Sequence, residues 1–181
     1  VGCFSAHPAD GGSSGTRLEL IAWEPEDGSG PFVEGLFDRE LGMPCRFTHL
    51  PDGSSRCIPT DALPLAFEDA GCTRPLLRDD CLEEGAWVSG LSWSGTSAVC
   101  GRTVPAQVTS PGRVGARVSV ARVHGFDVSG ECVPLEDAEG PWRRFEPVES
   151  ERFVAGRQAR RPVPGRDDVE VAGFEGVDGS F

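Results

Sequence analysis

"RVGARVSVARV", residues 113–123, sets Val114, Ala116, Val118 and Val120 in alternation with Arg113, Arg117 and Ser119. A period of two sends the first set to one face of an extended chain and the second to the other, which predicts a strand with one buried and one wet face. Upstream, Trp87, Ser89, Leu91 and Trp93 share one parity, where a core takes up the large rings. "RLELIAW" (17–23) and "FVEGLFD" (32–38) read as further short strands, and "CRFTHLPDGSSRCIP" (45–59) as a hairpin turning on 51–54. Pro or Gly interrupts nearly every window that three helical turns require, and "PLAFEDAGCTRP" (64–75) holds at most one short helix. The expected fold is all-β with little helix. It is a disulfide-stabilised sandwich or two small antiparallel sheets related by partial duplication.

The duplication is suggested by "LELIAWEPEDGS" (18–29) and "VEVAGFEGVDGS" (169–180), which share Glu19/Glu170, Glu24/Glu175 and the Asp-Gly-Ser turn. A repeated strand and turn is a supersecondary element whose apolar face needs a partner. Either the last strand returns beside the first and closes a sheet, or a further repeat begins there. The expected organisation is a tether at 1–16, an N-terminal β unit at 17–83 and a C-terminal β unit at 84–181.

All 17 basic residues are Arg, and the 29 acidic ones leave a net charge of −12. A field of that sign repels phosphate, which argues against nucleic acid and anionic lipid as partners. The expected partner is a protein or another copy of the chain, with the membrane met only through a lipid anchor.

Seven cysteines in 181 residues point to an oxidising compartment. Cys3, followed after Phe4 and Ser5 by the small polar stretch 7–16, reads as the lipid-modified cysteine of a lipobox remnant. The six others form an even set, expected to pair as neighbours: Cys45 with Cys57, Cys72 with Cys81, Cys100 with Cys132. A hairpin turning at 51–54 sets Cys57 opposite Thr48, which keeps Cys45 with Cys72 open. No C-x-x-C occurs, and His7, His49 and His124 lack finger spacing, so neither a metal nor a cofactor is expected.

Cys45, Phe47, Asp52, Gly53, Arg56, Cys57, Ile58 and Pro59, followed by Phe67, Asp69, Cys72 and Pro75, form a spaced pattern. It resembles a family of uncharacterised bacterial extracytoplasmic β-repeat proteins, many of them predicted lipoproteins. The resemblance covers about residues 17–77 and implies an extracytoplasmic location and a β-repeat fold, with no established activity.

His49, Asp52 and Ser54, and again His124, Asp127 and Ser129, contain the residue types of a hydrolase triad. Triad members converge from separate elements beside an oxyanion hole, whereas each of these sets sits within one turn. Clustered acids at 24–27 and 79–84 match no calcium loop and read as solvated turns. Trp23, Trp87, Trp93 and Trp142 suit a sugar-binding platform as an alternative, with Trp142 the most exposed. Arg157, Arg160, Arg161 and Arg166 gather cationic groups in an acidic chain, a surface for carboxylates of a partner or of a second copy. The function expected is non-catalytic: a cell-surface or periplasmic lipoprotein module for protein binding or self-assembly through exposed β edges. Carbohydrate binding and hydrolysis are the alternatives.

Overall fold

A computed structural model describes residues 13–23, 25, 32–79, 81–99, 102–127, 129–136, 140–163 and 166–181. The strands run β1 (Leu18–Trp23), β2 (Phe32–Asp38), β3 (Met43–His49), β4 (Ser55–Pro59), β5 (Ala62–Pro64), β6 (Ala66–Phe67) and β7 (Pro75–Arg78). They continue as β8 (Trp87–Val99), β9 (Arg102–Val118), β10 (His124–Phe126), β11 (Cys132–Pro134), β12 (Trp142–Pro147), β13 (Ala155–Val163) and β14 (Arg166–Gly176). Among the described residues the only helical element is a single 3-10 turn at Ser150–Arg152. The protein is all-β, as its alternation and turn residues predict.

The chain divides into two compact units, one formed by the chain up to Thr60 with Ser150–Phe181, the other by Asp61–Glu149. This corrects the expected division at 83/84. The reason is hydrogen bonding: β13 pairs with β4 through Ala155–Arg56 and Gly156–Ser55, so the C-terminal strands join the N-terminal sheet.

The first unit is one antiparallel sheet in the order β1-β2-β3-β4-β13-β14. Leu18, Leu20 and Ala22 bury one face of β1, and Met43 and Cys45 do the same on β3. Phe47 lies over Gly156, where a Cβ would collide with its ring, and stacks on Phe174 with centroids 5.4 Å apart. A glycine beneath an aromatic ring ties the β13–β14 hairpin to the sheet. The strands that open both copies of the repeated phrase, β1 and β14, lie in this one sheet at opposite ends of its strand order. The ends meet: Ser13 N–H donates to the Phe181 carbonyl and Phe181 N–H to the Ser13 carbonyl, each at 2.9 Å. The chain before β1 thus meets the chain after β14, while β1 and β14 themselves are not paired.

The second unit is a mixed sheet in the order β11-β10-β6-β7-β12-β9-β8-β5, in which β5 and β8 run parallel. Leu76 and Leu77, adjacent on β7, are both buried and point to opposite faces. Leu77, Val88, Val114 and Phe145 form a cluster on one face, and Ala66, Leu76, Val123 and Trp142 form one on the other. β9 serves both. A bulge lies where Arg143 faces Arg117 but Phe145 faces Val114. The extra residue on β9 reverses its parity, so Val114 joins Phe145 while Val118 packs with Trp142. Unbroken alternation through 113–123 would have placed both valines together, and would have hidden Ala116, which is exposed.

The expected helix at 64–75 is replaced by β5, β6 and a turn. Asp69 accepts the N–H groups of Gly71, Thr73 and Arg74. A carboxylate that takes up successive amides favours a turn over a helix.

Candidate functional site

Each disulfide is set by the strands that carry it. Cys45 and Cys57 are bonded with Cα atoms 5.3 Å apart, joining β3 to β4. The loop over 50–54 places Cys57 opposite Phe47 and Cys45 opposite Pro59. The one-residue difference from the expected register brings the two sulfurs to the same face as diagonal neighbours. Cys72 is bonded to Cys132, not Cys81, with Cα atoms 5.9 Å apart. The antiparallel run β7-β6-β10-β11 carries residue 132 back to the turn after β6, a return that neighbour pairing overlooks. Cys81 is an exposed free thiol. Cys100 and Cys3, with the proposed lipidation, lie outside the described residues.

The triad candidates do not assemble. His49 Nδ1 contacts Ser55 Oγ at 3.2 Å across the hairpin, while Asp52 accepts from Ser54 N–H and Ser150 Oγ. Asp127 Oδ1 accepts from Ser129 N–H, Ser129 Oγ and Glu131 N–H. The hydrogen bond from the Ser129 side chain, followed by those from the Glu131 and Ser129 amides, holds the Asp127 carboxyl below the usual carboxylate range despite the opposing pull of burial. These are turn-forming aspartates.

Within the acidic stretch 79–84, Asp79 is an ion-pair partner and not a solvated acid. Its buried side chain faces Arg143 at 2.9 Å and Arg117 at 2.5 Å, and Arg143 also donates to the Gly115 carbonyl at 3.2 Å. Hydrogen bonding to Arg143, with Arg117 adding to it, lowers the Asp79 carboxyl pKa against the opposing pull of desolvation. Glu24, Glu26 and Asp27 of the other acidic stretch lie outside the described residues. Among the described residues no three His, Cys, Asp or Glu side chains gather as metal ligands.

Trp142 is 8% exposed, which corrects its expected place on the surface. It stands between Arg78 on β7 and Val118 on β9, where a central strand hides it. Trp87 is half-buried under the Arg113 guanidinium, 4.0 Å from the ring centroid. Trp93 is 43% exposed, so the shared parity of Trp87 and Trp93 does not mark a core face. The side chain of Trp23 lies outside the described residues.

The arginines lie on the β13–β14 hairpin and face acids across it. Arg157 pairs with Glu175 at 2.8 Å, Arg161 with the same carboxylate at 3.0 Å, and Arg160 with Glu170 at 3.8 Å. Arg161 also lies 4.2 Å from the Phe181 ring centroid. The structure therefore pairs three of the four arginines within the hairpin itself. Arg166 opens β14, and its side chain lies outside the described residues.

Two further features bear on binding. An open cleft of about 630 Å³ lies along β1 and β2, lined by Ile21, Gly35, Leu36, Phe37 and Pro44, with Glu19 and Glu34 beside them. The second feature is a pair of two-stranded stretches. β8 and β9 stay paired from Trp87–Arg113 to Val99–Arg102, but β5 ends opposite Leu91 and β12 ends opposite Gly112. β13 and β14 likewise pair beyond the two residues that β4 reaches. The sequence signal for the first ribbon is "SWSGTSAV" (92–99), a strand with neither charge nor proline.

Comparison with protein-family models, curated proteins and solved structures finds no match to this chain. Among the described residues no helix is long and apolar enough to cross a membrane.

Proposed function

We propose that this chain is a non-catalytic extracytoplasmic module, a cell-surface or periplasmic lipoprotein, that binds a protein partner or another copy of itself through exposed β edges. The observation that carries this reading is that, among the described residues, both sheets continue as two hydrogen-bonded strands past their last flanking strands. A two-stranded ribbon is marginally stable alone in water and gains from a third strand, whose main-chain groups supply affinity. Two disulfides suit an oxidising compartment. Attachment through Cys3 belongs to this reading on sequence grounds.

Amide hydrogen exchange on the dilute 181-residue chain tests it. The outward amides of the β8–β9 ribbon are expected to exchange far faster than those of β7 and β12. Outward amides as slow as the core in a dilute monomer would mean the edge is already occupied, and the reading would fail.

A further inference from the structure

We infer, building on the β-edge reading, that the docking edge is the outer edge of β8 over residues 92–99, and that its occupant is the same segment of a second copy, paired antiparallel about a two-fold axis.

The main-chain direction of this edge follows from its neighbour. Ser89 N–H donates to the Asp61 carbonyl, and the Leu91 carbonyl accepts from Leu65 N–H, each at 2.8 Å. Odd residues of β8 therefore turn their polar groups toward β5, which ends at Pro64 opposite Leu91. Trp93 is next in that series. A bulge separates Trp93, opposite Gln107, from Thr96, opposite Pro105. Counting along β9 in steps of two, Thr96 and Ala98 continue the outward series past the bulge. Three N–H groups thus face the same side along this edge; among the described residues no strand is hydrogen-bonded to it past β5, and β10 also comes near β8.

Other strand edges carry devices that discourage pairing. On β1, the Leu18 N–H is taken by Asp178 and the Leu20 N–H by Ser14 Oγ. The outer edge of β9 carries Pro105 and Pro111, whose missing donors fall on that side. β13 bears arginines and Pro162, and β14 bears Asp167, Asp168 and Glu170. β5 and β11 are short and end in Pro64 and Pro134. Proline, charge and shortness are the usual guards of an edge. Residues 92–99 have none of them.

A second copy suits this edge. Antiparallel pairing about a two-fold axis sets one segment against itself. In a chain of net charge −12, self-contact meets the least repulsion where the strand is uncharged. Trp93, 43% exposed, gains burial in that contact.

The test is sedimentation velocity of the 181-residue chain from micromolar to millimolar concentration, comparing wild type, Trp93→Pro and the double variant Thr96→Lys/Ala98→Lys. Wild type is expected to dimerise as concentration rises. Each variant is expected to weaken dimerisation by at least about tenfold at unchanged circular dichroism. Where the proline variant fails to fold, the lysine variant decides. A wild type that stays monomeric overturns the second-copy occupant and leaves the exposed-edge reading to its hydrogen-exchange test. A wild type that assembles along with both variants overturns the assignment to β8.

Discussion

The carboxylate of Asp178, in the C-terminal copy of the repeated phrase, accepts the backbone N–H of Leu18, which opens the N-terminal copy, at 2.7 Å. The same oxygen takes the Arg17 N–H at 3.1 Å, and Oδ1 takes the Ser180 hydroxyl at 2.7 Å. Thr16 N–H donates to the Asp178 carbonyl at 2.9 Å. One turn thus holds the two ends of the six-stranded sheet together.

Replacing Asp178 with Ala removes the two carboxylate acceptors and leaves the Leu18 amide short of a partner. The expected cost is about 1–3 kcal/mol, read as a lower midpoint in urea unfolding. An unchanged midpoint would show that the clamp does not stabilise the sheet.

Acid is expected to loosen the same contact. Burial pushes the Asp178 carboxyl up, but the N–H groups of Leu18, Ser180 and Arg17 and the Ser180 hydroxyl outweigh it and hold it below its ordinary value. Stability from a lowered carboxylate is fully present above the unfolded pKa of about 3.9 and is lost as pH falls through the lower folded value. Thermal melts are expected to hold a plateau near neutrality and fall below about pH 4. In Asp178→Asn that fall is shallower. An equally steep fall in the variant would assign the acid sensitivity elsewhere.

Arg143 and Arg117 both face Asp79, yet the side chain of Arg143 is 9% exposed and that of Arg117 70%. Arg143→Met leaves a buried carboxylate without its main partner, whereas Arg117→Met removes an arm that water replaces. The Arg143 variant is expected to melt well below the Arg117 variant. Equal melting temperatures would contradict the ranking.

The two disulfides close spans of different length, with sequence separations of 12 for Cys45–Cys57 and 60 for Cys72–Cys132. Loop entropy makes the longer bridge worth about 1.4 kcal/mol more. Replacing each pair by Ala and comparing unfolding free energies checks the order. A larger loss from the Cys45/Cys57 pair would reverse it.

The hairpin at 45–59 was legible because its turn residues and alternation agree, and the strands at 18–23 and 32–38 were legible for the same reason. The repeated phrase pointed to the two ends of one sheet, which meet through residues 13–18 and 178–181 and not through pairing of β14 with β1. What escaped were features made by distant partners. The bulge that moves Val118 to the opposite face from Val114 leaves no mark in a string of alternating valines. Trp142 reads as exposed between Pro141 and two arginines, yet its neighbours in space are Leu76 and Val123. Arg143 is buried because a carboxylate 64 residues away reaches it. The ribbon edge was readable in principle, as a long strand without charge or proline, but only the register shows where its flanking strands stop.

The most direct test of the account is the bonding of the cysteines in native protein, by alkylation without reduction followed by peptide mass mapping. The account predicts a Cys45–Cys57 link, a Cys72–Cys132 link and an alkylated Cys81. A Cys72–Cys81 link would contradict the fold of the second unit, and thiols at all four bridged positions would contradict the oxidising location.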